Sequence, residues 1–290
     1  MAYPSNIPVI DLMMNIPTDE HNQAGYEAMA SMQRDPPGPN TVMPAGYMFR
    51  NVPNIGSDPA FFVQNMVAEL DKYNIERAMI PLGNADFYPE VLTTYSDRFF
   101  TSVTINPFLG MEEVRRVRRA VKEQGSKAIT YFPAASFPQV ALNERELYPF
   151  YAEAIELDIP FVANVGVPGP RMPLRTQKVE LVDDVCWFFP ELKFVMRHGG
   201  EPWEELCVKL MLKYPNLYYM PSAFAPRFYP KAIVDYANTR GADKIMYAGY
   251  FPSGISLERT FREFDEVPFK DEVWPKFLRE NALRVFKLDQ

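Results

Sequence analysis

The chain has 290 residues, 47% of them apolar, which is ample for one large core. With 30 basic against 37 acidic residues the net charge is −7, which argues against nucleic acid or an anionic membrane surface as the main partner, because both favour basic patches. An anionic small-molecule substrate stays open, since a few local arginines suffice to hold one.

The N-terminal stretch MAYPSNIPVIDLMM carries no basic residues ahead of its short apolar run, so no signal peptide is expected. No stretch reaches about 18 uninterrupted apolar residues, so no transmembrane helix is expected and the chain reads as a cytoplasmic protein. Eight short β-branched or apolar runs follow one another: Ile7–Met14, Arg77–Leu82, Phe99–Asn106, Lys127–Phe132, Pro160–Val165, Lys193–His198, Leu217–Ser222 and Lys244–Tyr250. Between them the spacing predicts helices at Pro59–Tyr73, Gly110–Gln124, Glu144–Leu157, Leu181–Phe189, Pro202–Lys213 and Phe228–Thr239. Strands alternating with helices imply parallel βαβ units, and eight of them at this length favour a closed (β/α)8 TIM barrel spanning residues 1–290 over an open doubly wound sheet. The C-terminal segment is amphipathic, with Leu278, Ala282, Leu283 and Phe286 on one face, and is predicted to pack on the barrel.

Residues 15–57, with DPPGPN and MPAGY, are too long for an ordinary βα loop. Following strand 1, this insertion belongs at the C-terminal face of a barrel, where active sites sit, and reads as a lid; a plain surface insertion is the alternative. Tyr47, Phe49 and Arg50 favour a role against substrate.

The remaining chemistry is sparse. Cys186 and Cys207 fall in helical segments and lack CxxC or CxxH spacing, so they read as core thiols rather than a disulfide or a structural zinc site. Neither GxGxxG nor GxxxxGK[ST] occurs, which disfavours nicotinamide and nucleoside triphosphate. No GxSxG elbow accompanies Ser222. Asp11 reads as a buried structural carboxylate near the barrel floor. His198, at a strand end and followed by Gly199-Gly200-Glu201-Pro202, suits acid/base chemistry, with a core histidine as the alternative. The other histidine, His21, lies in the presumed lid. Alternation counted from His198 points Arg197 away from the barrel axis and outside the site.

In order and spacing, PVIDLMMN, LDKYNIERAMIPLGN, YSDRFFTSVTINP, LYPFYAEAIELDIPFVANVG, FFPELKFVMRHGGEPW, YPNLYYMPSA, DKIMYAGYFP and ENALRVFKL resemble the amidohydrolase-related family that includes aminocarboxymuconate-semialdehyde decarboxylase. The resemblance implies metal ligands at a His-x-His after strand 1, a histidine near the end of strand 5 and an aspartate after strand 8. Those positions here are Met13, Asn15, Asn164 and Tyr250, while the strand-6 histidine is retained as His198. A thioether, two carboxamides and a phenol are poor ligands for a divalent ion, so no metal and no other cofactor is expected. The reading is a metal-independent hydrolase or lyase for a small carbonyl, lactone or aromatic acid, with His198 as general acid/base and Tyr250 and Asn164 stabilising oxyanion charge. Met13, Asn15, Tyr47, Arg50, Arg171, Ser222 and Arg227 would meet the substrate, the arginines holding a carboxylate. Two alternatives stay open: a non-catalytic ligand-binding barrel, and a metal held through His198, His21 and a carboxylate such as Glu201 or Asp19. The resemblance also suggests a homodimer.

Overall fold

The computed structural model describes residues 3–15, 29, 32–35, 45–49, 53 and 62–289. Seven parallel strands form one curled sheet in sequential order: β1 (Val9–Asp11), β2 (Ile75–Pro81), β3 (Phe99–Thr104), β4 (Ala128–Tyr131), β5 (Phe161–Asn164), β6 (Phe194–Arg197) and β7 (Leu217–Met220). Helices cover its outer face at Phe62–Lys72, Met111–Lys122, Tyr148–Glu156, Leu181–Phe188, Glu204–Lys213 and Lys231–Tyr236, close to the predicted spans. The helix after β6 starts at Glu204, so Glu204 and Glu205, rather than Glu201, sit in its first turn. The sequence reading missed a further helix, Leu257–Glu263, which opens on Ser256, whose hydroxyl accepts the Arg259 N–H.

The eighth predicted strand does not join the ladder as a strand. Residues 244–249 bond β7 through Tyr219 N–H to Lys244 O (3.0 Å) and Met246 N–H to Tyr219 O (2.9 Å). They reach β1 through Leu12 N–H to Tyr247 O (3.3 Å). The other donors here go elsewhere: Tyr247 N–H to Phe277 O (2.8 Å) and Gly249 N–H to the Asp11 carboxylate (2.8 Å). Ladder groups spent on a side chain and on a carbonyl of the C-terminal segment leave this stretch irregular while it still fills the eighth place.

Strand alternation sorts the core into two. Residues facing the helices, among them Ala78, Phe161, Phe194, Met196, Leu217 and Tyr219, join the large outer cluster. Ile10, Leu12, Met79, Phe100, Val162, Val195, Tyr218, Met220 and Met246 fill the interior together with Ala282, Val285, Phe286 and Leu288. The C-terminal segment packs on the barrel as expected but does so by plugging it: Ala282 and Phe286 enter the interior, with Phe286 edge-on to Phe100 at 6.2 Å, while Leu278 of the predicted face joins the outer cluster.

Asp11 is fully buried, as the sequence suggests, yet it lies at the C-terminal end of β1 and not at the floor. One oxygen, Oδ1, accepts from both Met13 N–H (2.9 Å) and Gly249 N–H (2.8 Å), which ties the start and the end of the barrel together. The Tyr247 hydroxyl interacts with this carboxyl, but Oδ2 has no partner at good hydrogen-bond geometry. Burial pushes the acid up to about 6, against the lowering by its two backbone donors and Tyr247. A Cβ at Gly249 would lie 2.6 Å from Oδ2, so only glycine fits beside it.

This raised pKa fixes the sign of a pH effect. The fold prefers the protonated acid, so stability falls as pH rises through the window from about 4 to about 6, by on the order of 3 kcal/mol. Asp11→Asn keeps the Oδ1 acceptor and removes the charge. Urea unfolding should show the variant gaining on the wild type across that window and holding the gain above it; parallel stability curves would refute the assignment.

Candidate active site

The polar lining begins where the apolar plug ends. Moving up β3, β4, β5 and β6 by two residues from Phe100, Ala128, Val162 and Val195 gives Ser102, Thr130, Asn164 and Arg197, and all four line one large cavity at the C-terminal end of the strands. At about 1830 Å3 the cavity exceeds the usual 300–1,000 Å3 of a small-molecule pocket, so its volume alone does not locate the chemistry. The convergent polar groups at its inner end mark the candidate site.

Asn164 and Arg197 are register partners on β5 and β6 and so share a face. Arg197 Nε donates to Asn164 Oδ1 at 2.6 Å. A guanidinium can only donate, so the carboxamide must turn its oxygen to Arg197, and what Asn164 offers the cavity is its NH2. The sequence reading excluded Arg197 wrongly. Val195 faces the barrel interior, and Arg197, two residues on, faces the same way. His198 breaks the alternation with φ 67°, followed by Gly199 at 80° and Gly200 at 69°, so both Arg197 and His198 reach the cavity. Parity counted back from Val195 would have found Arg197. The glycines are needed for space as well as for φ: a Cβ at Gly200 would lie 2.4 Å from the Cys207 sulfur.

Ser222 holds the histidine. The His198 N–H donates to Ser222 Oγ (3.1 Å), and His198 Nδ1 lies 3.1 Å from Oγ and 3.4 Å from Ser222 O. The carbonyl can only accept, so the tautomer that satisfies it carries its proton on Nδ1 and leaves the Nε2 lone pair unspent. Burial first, and the neighbouring Arg197 charge second, push the imidazole down to about 3, against a small rise from the Ser222 backbone. The ring is neutral over the whole physiological range. Tyr250 sits edge-on to it at 5.9 Å. Phe49 stacks on Tyr250 at 5.3 Å.

The predicted site residues therefore divide. Met13, Asn15, Asn164, His198, Tyr250 and Arg227 line the cavity. Ser222 is fully buried and acts through His198 rather than facing the cavity. Arg171 is not among the lining residues: it pairs with Asp35 and lies over the Tyr47 ring, 5.0 Å from its centroid. The Tyr47 hydroxyl donates to Gly169 O at 2.6 Å, so Tyr47 docks a rim segment instead of lining the pocket. Arg227 is shared with Glu263 (3.8 Å) and lies 4.7 Å from the Phe228 ring centroid. Arg50 and His21 lie outside the described residues, as does most of the expected lid, although Met29, Ala45, Met48 and Phe49 from that stretch line the cavity.

Among the described residues the donor set does not fit a divalent ion. The thioether of Met13 and the carboxamide of Asn164, whose oxygen is taken by Arg197, are poor ligands, and the Arg197 charge beside them repels a cation. Among the described residues no three His, Cys, Asp or Glu side chains gather to hold a metal.

No curated protein matches the chain. Solved structures resemble it over nearly its whole length at low identity, which speaks for the fold. An uncharacterised TIM-barrel protein from Bordetella bronchiseptica is 20% identical with a TM-score of 0.73, covering 97% of this chain and 99% of that one. The 5-carboxyvanillate decarboxylase of Novosphingobium aromaticivorans, complexed with manganese and a nitrobenzoic acid, is 16% identical with a TM-score of 0.70, covering 98% and 97%. The 2,6-dihydroxybenzoate decarboxylase from Rhizobium is 16% identical with a TM-score of 0.66, covering both chains fully. An amidohydrolase family model matches residues 15–288, and the chain belongs to that family.

Proposed function

We propose that the chain is a metal-independent hydrolase or C–C lyase acting on a small carbonyl compound, lactone or aromatic acid. The observation that carries this reading is the His198 imidazole, held through Nδ1 by Ser222, in a cavity whose described donor set does not fit a divalent ion. Family membership and the decarboxylase neighbours support hydrolase or lyase chemistry.

In this reading His198 starts each cycle as a base, because burial and the Arg197 charge hold it unprotonated. Its Nε2 takes a proton from a water that attacks the substrate carbonyl. The carbonyl oxygen gathers negative charge and accepts from the Asn164 NH2 and the Tyr250 hydroxyl. The imidazolium then returns the proton to the leaving oxygen, or, for a C–C cleavage, to the carbon left behind. Ser222 orients the ring through both steps. The stretch around 45–49 serves as a lid: Phe49 rests on Tyr250, and the Tyr47–Gly169 bond and the Arg171–Asp35 pair anchor its described parts to the rim.

Two outcomes follow. On a panel of lactones and hydroxylated aromatic acids, His198→Ala should lower kcat/KM by at least about 100-fold, and chelator treatment should leave the wild type unchanged. Near one manganese or zinc per chain by elemental analysis, with chelator-sensitive turnover, would sink metal independence. Tight binding without product from any substrate would favour the non-catalytic barrel. Second, because the folded imidazole lies far below its unfolded value near 6.5, the stability it contributes is lost only as pH falls from about 6.5 towards 3. Nitrogen NMR of His198 should therefore show a neutral ring down to about pH 5, and titration near 6.5 would refute the assigned environment.

A further inference from the structure

A part-buried charge needs a counter-charge, and among the described residues Arg197 has no carboxylate paired with it. It lines the inner end of the cavity and spends Nε on Asn164. Its two terminal nitrogens carry four further N–H groups in a planar fork. It forms no ion pair with any of the four described acids that line the cavity: Glu263 is held by Arg259 (2.8 Å) and Arg227 (3.8 Å), Glu258 pairs with Arg262 (3.7 Å), and Asp86 and Glu201 line the cavity without pairing with Arg197. Burial accordingly lowers the guanidinium to about 10, with Tyr250 the one group that raises it. Leaving a cation part-buried without a partner is costly, and a bound anion would offset that cost. Asn164 adds a second restraint: by holding Nε it fixes the plane of the guanidinium and turns its terminal edge away from β5.

We propose that Arg197 is the resident cation of this site and that the cavity takes a small organic acid, whose carboxylate pairs with the terminal nitrogens of Arg197 while Asn164 acts as the positioning residue. The arginine stands among Met13, Asn164 and Tyr250, the positions that do not suit a metal, and supplies one fixed positive charge there. A flat acid suits the ring walls that Phe49 and Tyr250 provide. We rest this on the reading of that cavity as the active site, and test it through binding, without turnover.

Benzoate and its neutral analogue benzamide serve as probes, titrated calorimetrically into the full chain at low salt. Benzoate should bind at least about tenfold more tightly. Arg197→Gln should abolish the preference. Asn164→Asp keeps the side-chain size and hands Arg197 an internal counter-ion, so it should abolish the preference while raising Tm, and it decides the matter if Arg197→Gln does not fold. Equal binding of the two probes, no benzoate binding up to about 10 mM, or a preference that survives in either folded variant overturns the assignment. A preference lost in both variants, in a protein that turns over nothing, would keep Arg197 as the acid-binding cation and remove the enzyme reading; turnover without the preference would do the reverse.

Discussion

The 2.6 Å hydrogen bond from Arg197 Nε to Asn164 Oδ1 is the constraint on which the rest of the site depends. It joins β5 to β6 at the level where the apolar interior stops. It fixes which end of the Asn164 amide faces the cavity. It also plants a positive charge beside His198, which helps to hold that imidazole unprotonated. Hydrogen-bond polarity, charge and proton affinity at three neighbouring residues thus follow from one donor–acceptor pair.

Below that level the molecule is built for stability alone. The interior carries Val162, Val195, Tyr218 and Met246 and is closed from beneath by Phe286 and its helix. Two residues further up from Phe100, Ala128, Val162 and Val195 the side chains become Ser102, Thr130, Asn164 and Arg197. A packed floor lets the mouth carry groups that contribute little to folding, because the conformational entropy of the strands is already offset by the burial beneath them. Closure between β7 and β1 follows a similar division. Backbone ladder bonds are few there, and the Asp11 carboxylate gathers the Met13 and Gly249 N–H groups in their place. A buried carboxylate with one unsatisfied oxygen is a costly device, and it brings Met13 and the Gly249–Tyr250 turn to the same rim.

Much of this is legible in the sequence, because periodicity of two and of 3.6 survives in the β-branched runs and the helical spacings. Seven of the eight runs are strands. The eighth fails because its donors are taken by Asp11 and Phe277, partners that no local pattern announces. The convergence of Met13, Asn15, Asn164, His198 and Tyr250 follows from the family resemblance once strand ends are aligned. Arg171 and Tyr47 read as substrate contacts because they lie on loops at the right end, yet a loop position does not say where a long side chain goes; here they engage Asp35 and Gly169 at the rim. Arg197 was hidden by a parity count anchored on His198, the one residue whose positive φ takes it out of strand geometry.

A guanidinium and a divalent ion are not equivalent as the cation of an active site. A metal polarises a carbonyl strongly and generates hydroxide at neutral pH. Arginine carries a single delocalised charge, never gives up its proton, and binds carboxylates through a planar edge. A site organised around Arg197 would need its base elsewhere, and in the proposed function that base is His198, which burial and that same charge hold neutral. The Arg197 charge that weakens the imidazole is also the one an anionic ligand would cancel, so proton affinity at His198 should rise when an acid binds. Recognition and acid/base function are then coupled through a distance of one residue, which a metal centre with its separate ligands does not need.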